Sequence, residues 1–308
     1  MARRRRWACF KKADVEPIDD YRECGRNDPR TTDEFLEEAL AAFRYRDSED
    51  FMLSDAYWKP VRIFHCRADN PVMATANRLL SSEASANRVL AADILSQVAF
   101  GNEARRTEAA DLLLPVFERE TACEVLRAIA SAFGHIKDER SVSRLVELCS
   151  HPDESLRYEV VFGLSGQDDK RAIESLIVLS SDPDDDVRNW ATFGLGTQTE
   201  VDTPDLRNAL IARLSDLDDE TRDEALVGLA RRGDTRTGPA LLKEFESSSP
   251  ELLEDRYLIT DAANAAIEAA KKHPDKKWCL LLEKLQEVEI GDPAEIQAAI
   301  KACEGARL

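Results

Sequence analysis

The chain has 308 residues, 43% of them hydrophobic and 6% aromatic, and 60 Asp or Glu against 42 Lys or Arg leave a formal charge of −18. Such a surface repels phosphate backbones and anionic bilayers, so nucleic acid and lipid are disfavoured as partners, and no apolar run approaches the roughly 20 residues a membrane-spanning helix needs. The seven cysteines, Cys9, Cys24, Cys66, Cys123, Cys149, Cys279 and Cys303, are scattered without a Cys-x-x-Cys pair, which predicts packed thiols in a reducing, cytoplasmic location.

Residues 1–30 carry nine Lys or Arg and six Asp or Glu and are broken by Pro17, Gly25 and Pro29. They predict a disordered basic extension, and Lys11, Lys12, Asp14 and Glu16 interrupt any export-signal core. The remaining residues carry −21. Thr31-Thr32-Asp33-Glu34 supplies helix-capping oxygens, and Phe35, Leu36, Ala39, Leu40 and Phe43 follow at helical spacing. Asp47–Asp55 reads as polar, and Tyr57, Trp58, Val61, Ile63 and Phe64 as a short helix or turn with Pro60 near its start. Helices are then expected over about 71–80 and 84–100.

From there one pattern returns. Arg188 is followed by Ala191, Gly194 and Leu195; Arg157 by Val160, Gly163 and Leu164; Arg222 by Ala225, Gly228 and Leu229. Arg88 and Arg256 head weaker copies, and Leu126 replaces the arginine in another. The heads are 38, 31, 31, 34 and 34 residues apart, the period of helical-hairpin repeats. Between them, Asp138, Asp169, Asp205 and Asp234 open a second set of helices.

These residues resemble HEAT repeats of the short kind first described in phycobilisome lyases, over about residues 70–270 and most closely over 120–246. The resemblance implies an all-α fold, an α-solenoid of antiparallel helical hairpins, about six pairs, with the arginine-bearing helices on the concave side. The expected organisation is a basic extension over 1–30, a solenoid over 31–275, and capping helices over 276–308, where Trp278, Leu281, Leu282, Leu285 and Val288 precede a last helix opened by Asp292-Pro293.

At 100° per residue, Val187, Ala191, Gly194 and Leu195 form one buried stripe. Arg188 lies at its edge, so Asp153, Asp184 and Asp218 with Arg157, Arg188 and Arg222 are expected to make a structural ladder of ion pairs along the stack. The alternative for these arginines is ligand binding. Tyr158, Glu159, Phe162, Asn189, Trp190, Phe193, Asp223 and Glu224 fall away from the stripe. Aromatics beside carboxylates on a solvent-facing side predict a groove for a basic protein or peptide; the competing expectation is that the aromatics fill gaps between helices.

Catalytic chemistry has little support. His65, His135, His151 and His273 lack metal-ligand spacing and lack the His-Glu pairs of deoxyhypusine hydroxylases, which also use HEAT repeats. Gly194-Leu195-Gly196 lacks a phosphate-loop lysine, and Leu164-Ser165-Gly166 belongs to a helix end. No metal or cofactor is expected. Two enzymatic alternatives follow from relatives of the repeat: a bilin lyase or lyase subunit acting on a tetrapyrrole, and an alkylpurine DNA glycosylase, which the acidic body disfavours. The expectation is a non-catalytic scaffold or adaptor binding a basic partner.

Overall fold

The computed structural model describes residues 28–67, 70–247 and 256–306. The chain divides into two compact units, Met1–Leu164 and Ser165–Leu308. Among the described residues there are sixteen α-helices and no strand. The expected extension over 1–30 lies, up to residue 27, outside the described residues.

The first unit contains α1 (Thr32–Ala41), α2 (Phe51–Arg62), α3 (Asn70–Leu80), α4 (Ser85–Gly101), α5 (Arg106–Arg119), α6 (Cys123–Ile136), α7 (Val142–Leu148) and α8 (Glu154–Leu164). Helix α6 packs against both α4 and α8, while α3, α5 and α7 back them as hairpin partners. Helix α1 starts at a reciprocal cap, in which the Thr31 hydroxyl accepts the Glu34 N–H and the Glu34 carboxylate accepts the Thr31 N–H.

One expectation about this unit is corrected. The short helix or turn expected from Tyr57, with Pro60 near its start, begins earlier: Asp50 accepts the N–H groups of Met52 and Leu53 and starts α2 at Phe51, and Pro60 sits inside the helix, near its end. Capping outweighs local polarity, because it satisfies donors that otherwise have no partner. The segment between α1 and α2 is tied to α4. Arg46 donates from Nε and Nη2 to the two Asp93 oxygens at 2.6 and 2.7 Å, and the Tyr57 hydroxyl donates to Asp93 Oδ2 at 2.7 Å. All three side chains are buried and hydrogen-bonded, so this charged group binds the entry segment to α4.

The second unit contains α9 (Lys170–Leu179), α10 (Asp185–Thr197), α11 (Pro204–Arg213), α12 (Asp219–Arg231), α13 (Thr237–Ser247), α14 (Tyr257–Lys272), α15 (Cys279–Glu287) and α16 (Pro293–Glu304). Helices α10, α12, α14 and α16 pack side by side in that order, and α9, α11, α13 and α15 pair with them. Asp184 and Asp218 cap α10 and α12 by accepting the Val187 and Thr221 N–H groups. The expected stripe of Val187, Ala191, Gly194 and Leu195 is buried. Gly196 and Gly228 let α10 and α12 approach: a Cβ on Gly228 would stand 2.6 Å from the Gly196 Cα. Among the described residues, 276–306 do not have a core of their own. Trp278, Leu281, Leu282, Leu285, Ile296, Ala299 and Cys303 join one hydrophobic cluster with Leu226 of α12 and Ile259 and Ala266 of α14.

Candidate functional site

Of the arginines expected to form the ladder, Arg188 and Arg222 meet carboxylates, but not the aspartates expected from sequence. Arg88, Arg157, Arg188 and Arg222 each donate Nη1 to the two carbonyls six and five residues earlier: Ser82 and Glu83, His151 and Pro152, Asp182 and Pro183, Asp216 and Leu217. Each guanidinium thus closes the turn leading into its own helix. For three of them the other edge reaches the next hairpin. Arg88 grips Glu120, Arg188 grips Asp216, and Arg222 reaches Glu244.

Asp184 and Asp218, paired with the arginines from sequence, cap their helices instead, and Asp153 accepts the Leu156 N–H. The carboxylate that meets Arg188 is Asp216, two residues before the cap, and its Oδ1 also accepts the Asp218 N–H. A cap oxygen is committed to its own first turn, so the earlier carboxylate is the one left to face the arginine. Burial acts to raise the Asp216 carboxyl, but the Arg188 hydrogen bond, the Asp218 N–H and the charges of Arg188 and Arg213 hold it below its ordinary range.

The eight residues expected on a solvent-facing groove are placed otherwise. Tyr158 and Glu159 are buried in α8 of the first unit, and Phe162 is half-buried against Gly134 of α6. In the second unit Asn189 is 2% exposed, Trp190 8% and Glu224 0%; Asp223 is also buried and Phe193 half-buried. Trp190 packs edge-on against Phe193 with ring centroids 5.3 Å apart. The solvent-facing expectation fails because α10 is covered by α9, α11 and α12; its buried arc is wider than the stripe of a helix lying on a single partner. The gap-filling role describes these aromatics.

An aromatic side chain that does reach solvent is Tyr257, 45% exposed at the first position of α14. It follows Arg256 as Asn189 follows Arg188 and Asp223 follows Arg222, so the repeat register already marked its place. Arg256 donates from Nε to Asp223 at 3.0 Å, from Nη2 to the other Asp223 oxygen, and from Nη1 to Glu244 at 2.8 Å. Arg222 also touches Glu244. These two arginines and two carboxylates balance one another, and burial raises the Asp223 carboxyl against the pull of Arg256.

Close to Tyr257 are Glu220 and Asp261, both exposed, and Glu224, fully buried. The Tyr257 phenol is pushed up to about 12, first by burial and then by the charges of Glu224, Glu220, Asp261 and Asp223. It lies in the more acidic part of the chain: residues 165–308 hold 31 Asp or Glu and 18 Lys or Arg, a net of −13.

A second aromatic arrangement, unforeseen from sequence, runs through the first unit. His65, Phe100, His135 and Phe162 meet successively edge to face, with centroids 4.9, 5.1 and 5.0 Å apart. The rings occupy different positions within their helices, so no fixed repeat offset announces them. His151 caps a turn, its Nδ1 accepting the Asp153 N–H. Asp184, Asp185 and Asp186 bring carboxylate oxygens within 4.8 Å of one another, and Asp184 and Asp185 each accept a backbone N–H at the head of α10.

Residues 110–196 and 176–256 match the family of HEAT repeats. No curated protein matches the chain in sequence. Among solved structures, the X-ray structure of Escherichia coli YibA is similar with a TM-score of 0.63 at 21% identity, over 96% of this chain and 99% of that one. An engineered protein is similar with a TM-score of 0.55 at 17% identity, over 86% of this chain and 77% of its own. The complex of CpcE and CpcF of phycocyanin lyase from Nostoc sp. PCC7120 gives 0.43 at 16% identity, over 95% and 99%. At such identities the likeness to YibA and to the engineered protein is one of fold.

Proposed function

We propose, for a chain that belongs to the HEAT repeats family through residues 110–256, the role of a protein-binding scaffold whose second unit takes a basic segment on α12 and α14. The supporting observation is Tyr257, accessible at the head of α14, with the exposed carboxylates of Glu220 and Asp261 acting on its phenol. A ring face in a negative field suits a lysine or arginine side chain, which gains cation–π contact and carboxylate partners together. Rigid aromatic area flanked by charge is also the composition of interface hot spots. Tyr158, Glu159, Phe162, Asn189, Trp190 and Phe193 serve this reading as the packed support of their units, not as the contact surface.

Nona-arginine, titrated against the full chain by fluorescence anisotropy, is the test. Binding should weaken at least tenfold in the Tyr257→Ala, Glu220→Gln variant and fall with added salt, as expected for exposed charges screened over roughly 8 Å at physiological ionic strength. Both substituted side chains are exposed, so the thermal melt should not move. Unchanged affinity in the variant would refute the assignment of the face.

A further inference from the structure

The hairpin of α15 and α16 carries two thiols that partner binding leaves unused. Cys279 is the first residue of α15, and Cys303 stands in the last turn of α16. Residues 288–292 join the two helices, a connection short enough to make them antiparallel neighbours, and the helices pack together. Their register is marked near the turn, where Gln297 donates from Nε2 to Gln286 Oε1 at 2.7 Å. Cys279 lies seven residues before Gln286, and Cys303 six residues after Gln297. The helical rise therefore puts both thiols roughly 10 Å from that pair, at one level of the hairpin. They also share a side. Leu282 and Ala299 are fully buried in the core common to α12, α14, α15 and α16. Cys279 comes three residues before the first and Cys303 four after the second, spacings that keep side chains on one face of a helix. Cys303 accordingly belongs to that core, and Cys279 packs against it.

The two thiols differ in access. Cys303 is 0% exposed and its Sγ donates to the Ala270 carbonyl of α14 at 3.8 Å. Burial pushes its thiol up; the Asp275 N–H opposes that rise, and the charges of Cys279 and Asp275 add to it. Cys279 is half-buried and follows the exposed Lys276 and Lys277 closely. Among the described residues the other cysteines, Cys66, Cys123 and Cys149, belong to the first unit. We propose that Cys279 and Cys303 are a dithiol that closes to a disulfide on meeting a small anionic disulfide of the glutathione type. The Cys279 thiolate attacks one sulfur of the reagent, breaks its S–S bond and releases one small thiolate, leaving a mixed disulfide. Cys303 then gives up its proton and attacks the Cys279 sulfur, which releases the second small thiolate. Two electrons pass from the cysteines to the reagent, and the two cysteine protons end on the two small thiols. Lys276 and Lys277 attract the anionic reagent to the accessible thiol. The new bond closes the 279–303 loop and so restrains opening of the hairpin, whatever α12 and α14 bind.

The full chain, reduced and freed of reductant, is incubated with oxidised glutathione; remaining thiols are blocked with iodoacetamide, and trypsin digestion follows without reduction. Mass spectrometry should find peptides 278–284 and 302–307 joined through Cys279 and Cys303. Cys303→Ser should stop at the glutathione adduct of Cys279, and Cys279→Ser should leave Cys303 unmodified. In the linked unaltered chain, amide hydrogen exchange along α16 should slow at least tenfold and recover with dithiothreitol. A folded, unaltered chain in which Cys279 keeps glutathione while Cys303 remains a thiol overturns the proposal, as does a link that forms only in urea. Unchanged exchange in the linked chain overturns the restraint on the hairpin.

Discussion

Arg188 holds the Asp216 carboxylate through Nε and Nη2, each at 3.1 Å, while its Nη1 closes the turn at Asp182 and Pro183. One side chain therefore fastens its own hairpin and the next one. Hydrogen bonds to charged groups contribute about 1.5–3 kcal/mol each, and a buried carboxylate deprived of its partner costs at the upper end of that range. Arg188→Met should lower stability by about 3 kcal/mol. Arg188→Lys should recover less than half of this, because an ammonium lacks the fork that spans carboxylate and carbonyls at once. Urea unfolding of both variants and of Asp216→Asn, combined in a double-mutant cycle, should give a coupling well above zero.

Gly228 should resist the ordinary benefit of alanine in a helix. Glycine to alanine gains about 1 kcal/mol of helix propensity, but the new Cβ would lie 2.6 Å from the Gly196 Cα and 3.0 Å from Leu210 Cδ1. Backbone cannot rotate aside, and overpacking costs about 1–3 kcal/mol. Gly228→Ala is expected to melt lower by several degrees. Gly238→Ala, whose Cβ would have its nearest neighbour at 3.6 Å, should melt at or above the unaltered chain.

His135 should impose an acid-side loss of stability. Burial, and then Lys137, His65 and Arg106, hold its imidazole down at about 3, whereas an unfolded histidine takes up a proton near 6.5. Below pH 6.5 the unfolded state binds more protons, so its contribution is complete above that pH and is lost as the pH falls toward 3. Between pH 6.5 and 5 this amounts to about 2 kcal/mol. His135→Phe keeps an aromatic edge between Phe100 and Phe162 without the titration. Urea midpoints at pH 7 and pH 5 should therefore differ less in the variant than in the unaltered chain; an equal difference would assign the acid sensitivity elsewhere.

Trp278 fills the core shared by α12, α14, α15 and α16 and is fully buried, yet its Nε1–H has no acceptor among the described residues. Leaving a buried donor unpaired costs about 1–3 kcal/mol, which offsets much of the area the larger ring contributes. Trp278→Phe should thus lie within about 1 kcal/mol of the unaltered chain, and Trp278→Ala should lose about 3–5 kcal/mol through the cavity it leaves. A Trp278→Phe loss as large as that of alanine would show the indole N–H to be satisfied.

The all-α repeat, the places where helices begin and the stripe that stacks them were legible in the sequence because each depends on neighbours a few positions away. An aspartate caps the N–H group three residues on, as Asp184 and Asp218 do, and apolar residues at helical spacing share a face whatever lies opposite. Tertiary structure decided the rest. Whether Arg188 meets Asp218 or Asp216 depends on how one hairpin seats on the next, across 28 residues of chain. Asn189, Trp190 and Glu224 sit on the side of the wheel that sequence assigned to solvent, and neighbouring helices bury them. Tyr257, in the equivalent register one repeat beyond Asp223, remains in water. A helix wheel records directions around one axis; exposure depends on how many other helices occupy those directions, and only the packed chain contains that number.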